Sequence, residues 1–169
     1  MSKRSAILLV GGRGTRLAPL TNNTPKPMLQ VAGVPFTEHQ IIKAREAGIT
    51  ELVLATSFKA ELFEPYFGDG KNFGISIKYA VEEVALGTGG AISNAATMLE
   101  GIGPVAIFNG DVLSKHDLDG QFKSHQANGA DVILLIAACL GKNQISDLSA
   151  FAKEIDLEVL IEIHNENEL

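Results

Sequence analysis

The chain has 169 residues, enough for one domain with a real core, and is 46% apolar and 20% charged, as a soluble globular protein should be. Its net charge of −6 argues against a general nucleic-acid or membrane surface. No stretch is long enough to span a membrane, the apolar run near the start is too short for a signal peptide, and the single cysteine, Cys139, excludes an internal disulfide and fits a cytoplasmic protein.

The first apolar run, residues 6–10, reads as a buried strand. It opens into Gly11-Gly12-Arg13-Gly14-Thr15-Arg16-Leu17, a glycine-rich loop with two arginines. Such a loop suits a polyphosphate, because glycines let backbone N–H groups approach an anion and arginines add charge and forked donors. It is neither of two familiar phosphate loops. No Gly-Lys-Ser/Thr follows, as a P-loop requires, and Leu17 stands where the dinucleotide fingerprint needs its third glycine. Further on, Pro25 and Pro27 bracket Lys26, and the spacing predicts a stiff, extended segment that holds one lysine near the arginine-bearing loop.

Strand-like runs recur at 51–55, 75–81, 104–108, 131–138 and 157–163. Helix-like stretches lie at 36–47, which Gly48 should stop, and at 59–67, 89–100, 117–127 and 143–154. The alternation predicts βαβ units in an α/β fold, a Rossmann-like three-layer α/β/α sandwich with a mostly parallel sheet. Ligands of open sheets bind at the carboxyl ends of strands, where both the residue 11 loop and Asp111 fall.

Residues 11–28 resemble the signature of the sugar nucleotidyltransferase family, Gly-Gly-x-Gly-Thr-Arg-Leu-x-Pro-Leu-Thr followed by Pro-Lys-Pro-Met. Leu86-Gly87-Thr88-Gly89-Gly90-Ala91 is similar to that family's second glycine loop, and Phe108-Asn109-Gly110-Asp111 to its magnesium-bearing strand end. The resemblance covers about residues 4–127. Within the family, Ala32-Gly33-Val34-Pro35-Phe36 and Tyr66-Phe67-Gly68-Asp69-Gly70 look like the bacterial mannose-1-phosphate guanylyltransferases, although thymidylyl- and uridylyltransferases acting on glucose 1-phosphate share the core motifs.

The resemblance implies a reaction between a nucleoside triphosphate, GTP above all, and a sugar 1-phosphate. It implies that the backbone of Gly11, Gly12 and Gly14, with Arg13 and Thr15, holds the triphosphate. Arg16 stabilises the transferring phosphate, Lys26 reaches it from the opposite side, and Asp111 binds Mg2+. Gly87, Thr88 and Gly89 pack near the nucleoside, and Asn109 and Gly110 complete the binding set. On residue type alone, Asp111 also suits, less well, a cap for the next helix, and Thr88 a cap for its own alongside its nucleoside role. Two departures stand out: Val84-Ala85 where the family has Glu-Pro, and Ala18 where it often has arginine. His39, His116, His125 and His164 show no zinc spacing, and Asp117-Leu118-Asp119-Gly120 reads as a helix start rather than a calcium loop.

The chain changes character near residue 128. Residues 129–169 resemble the fourth strand, helix and fifth strand of indole-3-glycerol phosphate synthase, a TIM-barrel enzyme, with Glu162 at the position of that family's strand-end glutamate. Synthase chemistry is not expected, because its lysines and phosphate loops have no counterpart here. The expected organisation is a nucleotide-binding core over 1–128 and a strand-helix-strand segment over 129–169 on the same sheet, as a natural or engineered chimera. The later acidic metal ligand and sugar-phosphate pocket of the nucleotidyltransferases have no counterpart in that segment. A nucleotide-binding module without turnover, or an α/β scaffold that self-associates through a sheet edge as a homo-oligomer, therefore stand as alternatives.

Overall fold

The computed structural model describes residues 3–100, 103–114 and 116–129, together with the backbone of 132–137 and 159–164. The chain divides into two compact units, Met1–Ser114 and Lys115–Leu169.

The first unit is built on a four-stranded sheet of order β5-β4-β1-β6, with β1 at Arg4–Leu9, β4 at Ile49–Thr56, β5 at Ser76–Val81 and β6 at Val105–Asn109. Every pairing in it is parallel. Ser5 to Leu8 are buried in succession and β4 is buried everywhere except Thr50. Unbroken burial of this kind, rather than alternation, marks strands covered on both faces. Helix α1 (Phe36–Glu46) packs on β4, while α3 (Gly87–Ala96) packs on β1, β4 and β5. The chain runs from β1 through α1 to β4 on one side, then from β5 through α3 to β6 on the other. Right-handed crossovers in opposite directions place α1 and α3 on opposite faces, which gives the expected three layers. On the α3 face the core is Ile7, Val53, Ala55, Ala80, Ala91 and Ala95, whose small side chains let the helix lie close to the sheet.

Most elements follow the sequence pattern, with informative exceptions. Gly48 follows α1 at φ 78°, as a helix stop should. The stretch 59–67 is a 3₁₀ turn, Ala60–Leu62, and a short helix α2, Glu64–Phe67, rather than one helix. Pro65 lacks the N–H needed to continue an α-helical ladder through that point. The stretch expected at 89–100 starts at Gly87 and is α-helical only to Ala96; the Met98 and Leu99 amides bond three residues back, and Thr97 Oγ1 donates to the Asn94 carbonyl at 2.7 Å. Two short strands, β2 (Gln30–Val31) and β3 (Val34–Pro35), form an unanticipated hairpin turned by Ala32 and Gly33 at φ 53° and 90°.

In the second unit, α4 spans Leu118–Asn128, and the Asp117 side chain caps it by accepting from the Gly120 amide at 3.0 Å. The reading of that motif as a helix start therefore holds. Strands β7 (Val132–Ala137) and β8 (Val159–His164) pair in parallel, with Glu162 opposite Leu135. The helix expected at 143–154 and Cys139 lie outside the described residues.

Glu51 is 1% exposed near the amino end of β4. It accepts from Ser5 Oγ at 3.2 Å, Lys78 Nζ at 3.0 Å and the Glu100 amide at 3.3 Å, and lies 3.3 Å from Lys3 Nζ. Burial pushes its carboxyl up, but the Lys78, Glu100 and Lys3 interactions hold it below the usual carboxylate range. A depressed folded-state value means that Glu51 stabilises the fold above its unfolded pKa and loses that contribution as pH falls through the folded value. Glu51→Gln should lower stability at pH 7 by about 1–3 kcal/mol in denaturant melts, with a gap from wild type that shrinks on acidification. A gap that widens in acid would contradict this account.

Candidate active site

Strand order reverses between β1 and β6, so the loops leaving their carboxyl ends open a crevice between them. The first is the glycine-rich loop. Val10 N–H donates to the Ala55 carbonyl at 2.9 Å, and Ser57 Oγ donates to the Gly11 carbonyl at 2.6 Å, which tie the loop to the end of β4. A Cβ on Gly12 would meet nothing within 4 Å, so its backbone faces open space. Gly14 adopts φ 62°, and a Cβ there would lie 2.7 Å from Lys26 Cβ. Buried Thr21 donates from Oγ1 to the Gly14 carbonyl at 2.9 Å. Backbone contact between loop and lysine segment thus depends on the missing side chain of residue 14.

Lys26 is not extended, contrary to the effect expected of Pro27. It opens a 3₁₀ turn, Lys26–Met28, closed by Met28 N–H to the Pro25 carbonyl at 2.8 Å and Leu29 N–H to the Lys26 carbonyl at 3.1 Å. Pro27 is buried, and its carbonyl accepts from Thr37 Oγ1 of α1 at 2.9 Å. Those ties to the body outweigh the local preference of a residue before proline. They aim the lysine across the crevice, where Lys26 Nζ meets Asp111 Oδ2 at 2.7 Å.

Asp111 follows β6 on a turn in which Gly110 N–H donates to the Leu9 carbonyl at 2.8 Å. A Cβ on Gly110 would lie 2.3 Å from that same oxygen, so only glycine fits. Asp111 does not cap the following helix, which Asp117 does. Two side chains from α1 reach this turn. Gln40, 6% exposed, donates from Nε2 to the Asn109 and Val112 carbonyls, both at 2.8 Å. Lys43 Nζ donates to the Ser114 carbonyl, and burial pushes its ammonium below the ordinary lysine value.

A cleft of about 490 Å³ is lined by Gly12, Gly14, Arg16, Lys26, Asn109, Gly110 and Asp111 among others. Arg16 is exposed and pairs with no described residue. Arg13 and Thr15 line a second, smaller cleft of about 220 Å³ beside Phe58, with the Arg13 guanidinium 5.6 Å from that ring's centroid. Gly11 packs beneath the loop against Ser57. Gly87, Thr88 and Gly89 line neither cleft and form the exposed first turn of α3. Thr88 is not its cap, because Leu86 holds that position and no side chain caps the helix. Among the described residues no group of three or more His, Cys, Asp or Glu gathers as a metal cage.

A glycine loop, an arginine, a lysine and one carboxylate thus converge at the carboxyl ends of adjacent parallel strands of an α/β domain. The Nucleotidyl transferase family matches residues 5–145, and the chain belongs to that family. The match runs past the change of character expected at 128. Of residues 130–169, where the sequence suggested a synthase-like segment that nothing in these comparisons supports, only the backbone of two strands falls among the described residues.

The chain is 50% identical over 129 residues to the mannose-1-phosphate guanylyltransferase of Mycobacterium tuberculosis, covering 76% of this chain and 36% of that protein. It is 41% identical over 133 residues to the D-glycero-alpha-D-manno-heptose 1-phosphate guanylyltransferase of Aneurinibacillus thermoaerophilus, covering 78% and 56%. The chain therefore spans roughly a third to just over a half of these relatives' lengths. Among solved structures, HddC of Yersinia pseudotuberculosis complexed with GMP-PN superposes with a TM-score of 0.68 at 28% identity, covering 81% of this chain and 58% of that one. A Bacillus anthracis chain provisionally named a glucose-1-phosphate thymidylyltransferase shares the fold at a TM-score of 0.79 and 16% identity, covering 96% and 87%.

Gly14→Ala should cost about 1–2 kcal/mol from its left-handed backbone alone and more from displacing Lys26. Chemical denaturation at pH 7 measures this, and an unchanged midpoint would rule out the tight loop–lysine packing.

Proposed function

We propose that this chain is the nucleotide-binding part of a sugar-1-phosphate nucleotidyltransferase, with GTP and mannose 1-phosphate as its substrates. The observation that carries the reading is the Lys26–Asp111 pair, 2.7 Å apart across a cleft bordered by Gly12, Gly14 and Arg16. In the reaction, a phosphate oxygen of the sugar 1-phosphate attacks the α-phosphorus of the triphosphate and pyrophosphate leaves. No side-chain nucleophile is needed. The barrier lies in bringing two anions together in line, so positioned positive charge is what the protein supplies.

In this reading the open backbone at residues 12–14 takes the triphosphate, and Arg13 and Thr15 border it from the adjoining cleft. Arg16, with no partner among the described residues, follows charge onto the transferring phosphate. Lys26 uses one of its three N–H donors on Asp111, which leaves others for a phosphate in the cleft. A single half-exposed carboxylate fits Mg2+, which binds through one or two carboxylates plus substrate phosphates rather than in a protein cage. When bound, that ion would offset phosphate charge, with Asp111 as its protein ligand. The exposed turn at Gly87, Thr88 and Gly89 is assigned to the nucleoside, and Asn109 and Gly110 to the floor of the cleft.

The two guanylyltransferase relatives favour guanine as the base. An N-acetylmuramate alpha-1-phosphate uridylyltransferase of Neisseria meningitidis, 38% identical over 120 residues, keeps other bases in the test. No helix among the described residues is long and apolar enough to cross a membrane, and a cytoplasmic location without nucleic-acid partners is part of the proposal. So is a homo-oligomer. A second reading is nucleotide binding without turnover, for which the supporting observation is that Asp111 is the one carboxylate among the described residues lining the cleft.

Incubation with GTP, Mg2+ and mannose 1-phosphate should yield GDP-mannose. Arg16→Ala should lower kcat/KM by about 10²–10³-fold. Stabilisation by GTP without product would establish the second reading. No stabilisation and no product with GTP, dTTP or UTP would refute both.

A further inference from the structure

We propose that Gln40 and Lys43, three residues apart on α1, are positioning residues that hold Asp111 where it can meet a nucleotide-bound cation; the inference rests on the nucleotidyltransferase reading. Neither side chain lines the cleft. Both reach the back of the turn that carries the carboxylate. The Gln40 amide has two hydrogens, and both are used, one on the Asn109 carbonyl and one on the Val112 carbonyl, each at 2.8 Å. Those carbonyls bracket Gly110 and Asp111. The orientation of the amide follows from its partners, since turning it over would set its oxygen against two carbonyl oxygens.

Lys43 grips the far end of the same turn at the Ser114 carbonyl, with Ser114 Oγ 3.4 Å away. On the opposite side, Gly110 lies against the Leu9 carbonyl with no room for a Cβ. The turn is thereby fixed at its start by β1 and along its length by α1. Within the turn itself, the one backbone bond between described residues is Val112 N–H to the Asn109 carbonyl, at 3.3 Å. Helix α1 thus adds order to the turn beyond that bond.

Burial of Gln40 supports a dedicated role. A glutamine that is 6% exposed on a core-facing helix position costs desolvation, which an apolar residue would avoid. Its donors offset that cost only by satisfying the carbonyls that flank Asp111.

The test uses the whole chain and two variants, Gln40→Met and Lys43→Met, each removing donors at similar length. Hydrogen exchange in the ligand-free protein should quicken roughly tenfold in the peptide spanning 108–114 and stay unchanged in the peptide spanning 10–17. GTP affinity without a divalent ion should be unchanged. The affinity of the GTP-loaded protein for Mn2+, read from the free-ion electron paramagnetic resonance signal, should fall by about 10–100-fold. Unchanged exchange at 108–114, uniform quickening along the chain, or unaltered Mn2+ affinity would each overturn the proposal. A wild-type chain that binds no GTP would refute the proposed function instead, and the exchange comparison would then decide the clamp alone.

Discussion

The reversal of strand order between β1 and β6 is the constraint from which the site follows. Both strands run the same way, so their carboxyl ends finish side by side, and the chain leaves each end towards a different connection. A crevice is therefore built into the topology. Into it come a glycine loop from one strand, a carboxylate from the other, and a lysine from a segment docked on α1. The ion pair between Lys26 and Asp111 joins residues 85 positions apart and marks where these three parts converge.

The two ends of the sheet divide the work of the domain. At the amino ends, Glu51 is buried and surrounded by lysines and hydrogen-bond donors, a cluster whose polar groups are satisfied within the protein. At the carboxyl ends, Arg16 is exposed without a partner among the described residues, and the backbone around Gly12 faces open space. Satisfied charge stabilises a fold, whereas unsatisfied donors around a cleft are available to an anion. Helix α1 connects the two functions. Its Ile41 and Ala44 are core residues, while Thr37, Gln40 and Lys43 reach the segments that carry Lys26 and Asp111. Core packing and site geometry are thus set by one rigid element.

Much of this was legible in the residues. Continuous apolar runs marked the buried strands β1 and β4, and the glycine loop with its two arginines pointed to a candidate phosphate cradle. The order of the three motifs pointed to the family to which the chain belongs. Local rules failed where tertiary contacts outweighed them. Lys26 should be extended before Pro27, yet the anchoring of that turn to α1 makes it 3₁₀. Thr88 has the chemistry of a helix cap, yet α3 begins at Gly87 without one. Gln40 carried no signal beyond being a polar residue on an apolar helix face, because its partners are backbone carbonyls 69 and 72 positions away.

By itself, the sequence determined the α/β class and the parallel sheet and singled out candidate phosphate-binding groups, since these depend on periodicity and residue chemistry. Only the tertiary structure decided which of those groups share a cleft. It set Arg16 and Lys26 with Asp111, placed Arg13 and Thr15 in an adjoining cleft, and left the Gly87 turn outside both. The physical reason is distance: strand order and helix docking bring together residues that are far apart in the chain, and local sequence carries no record of them.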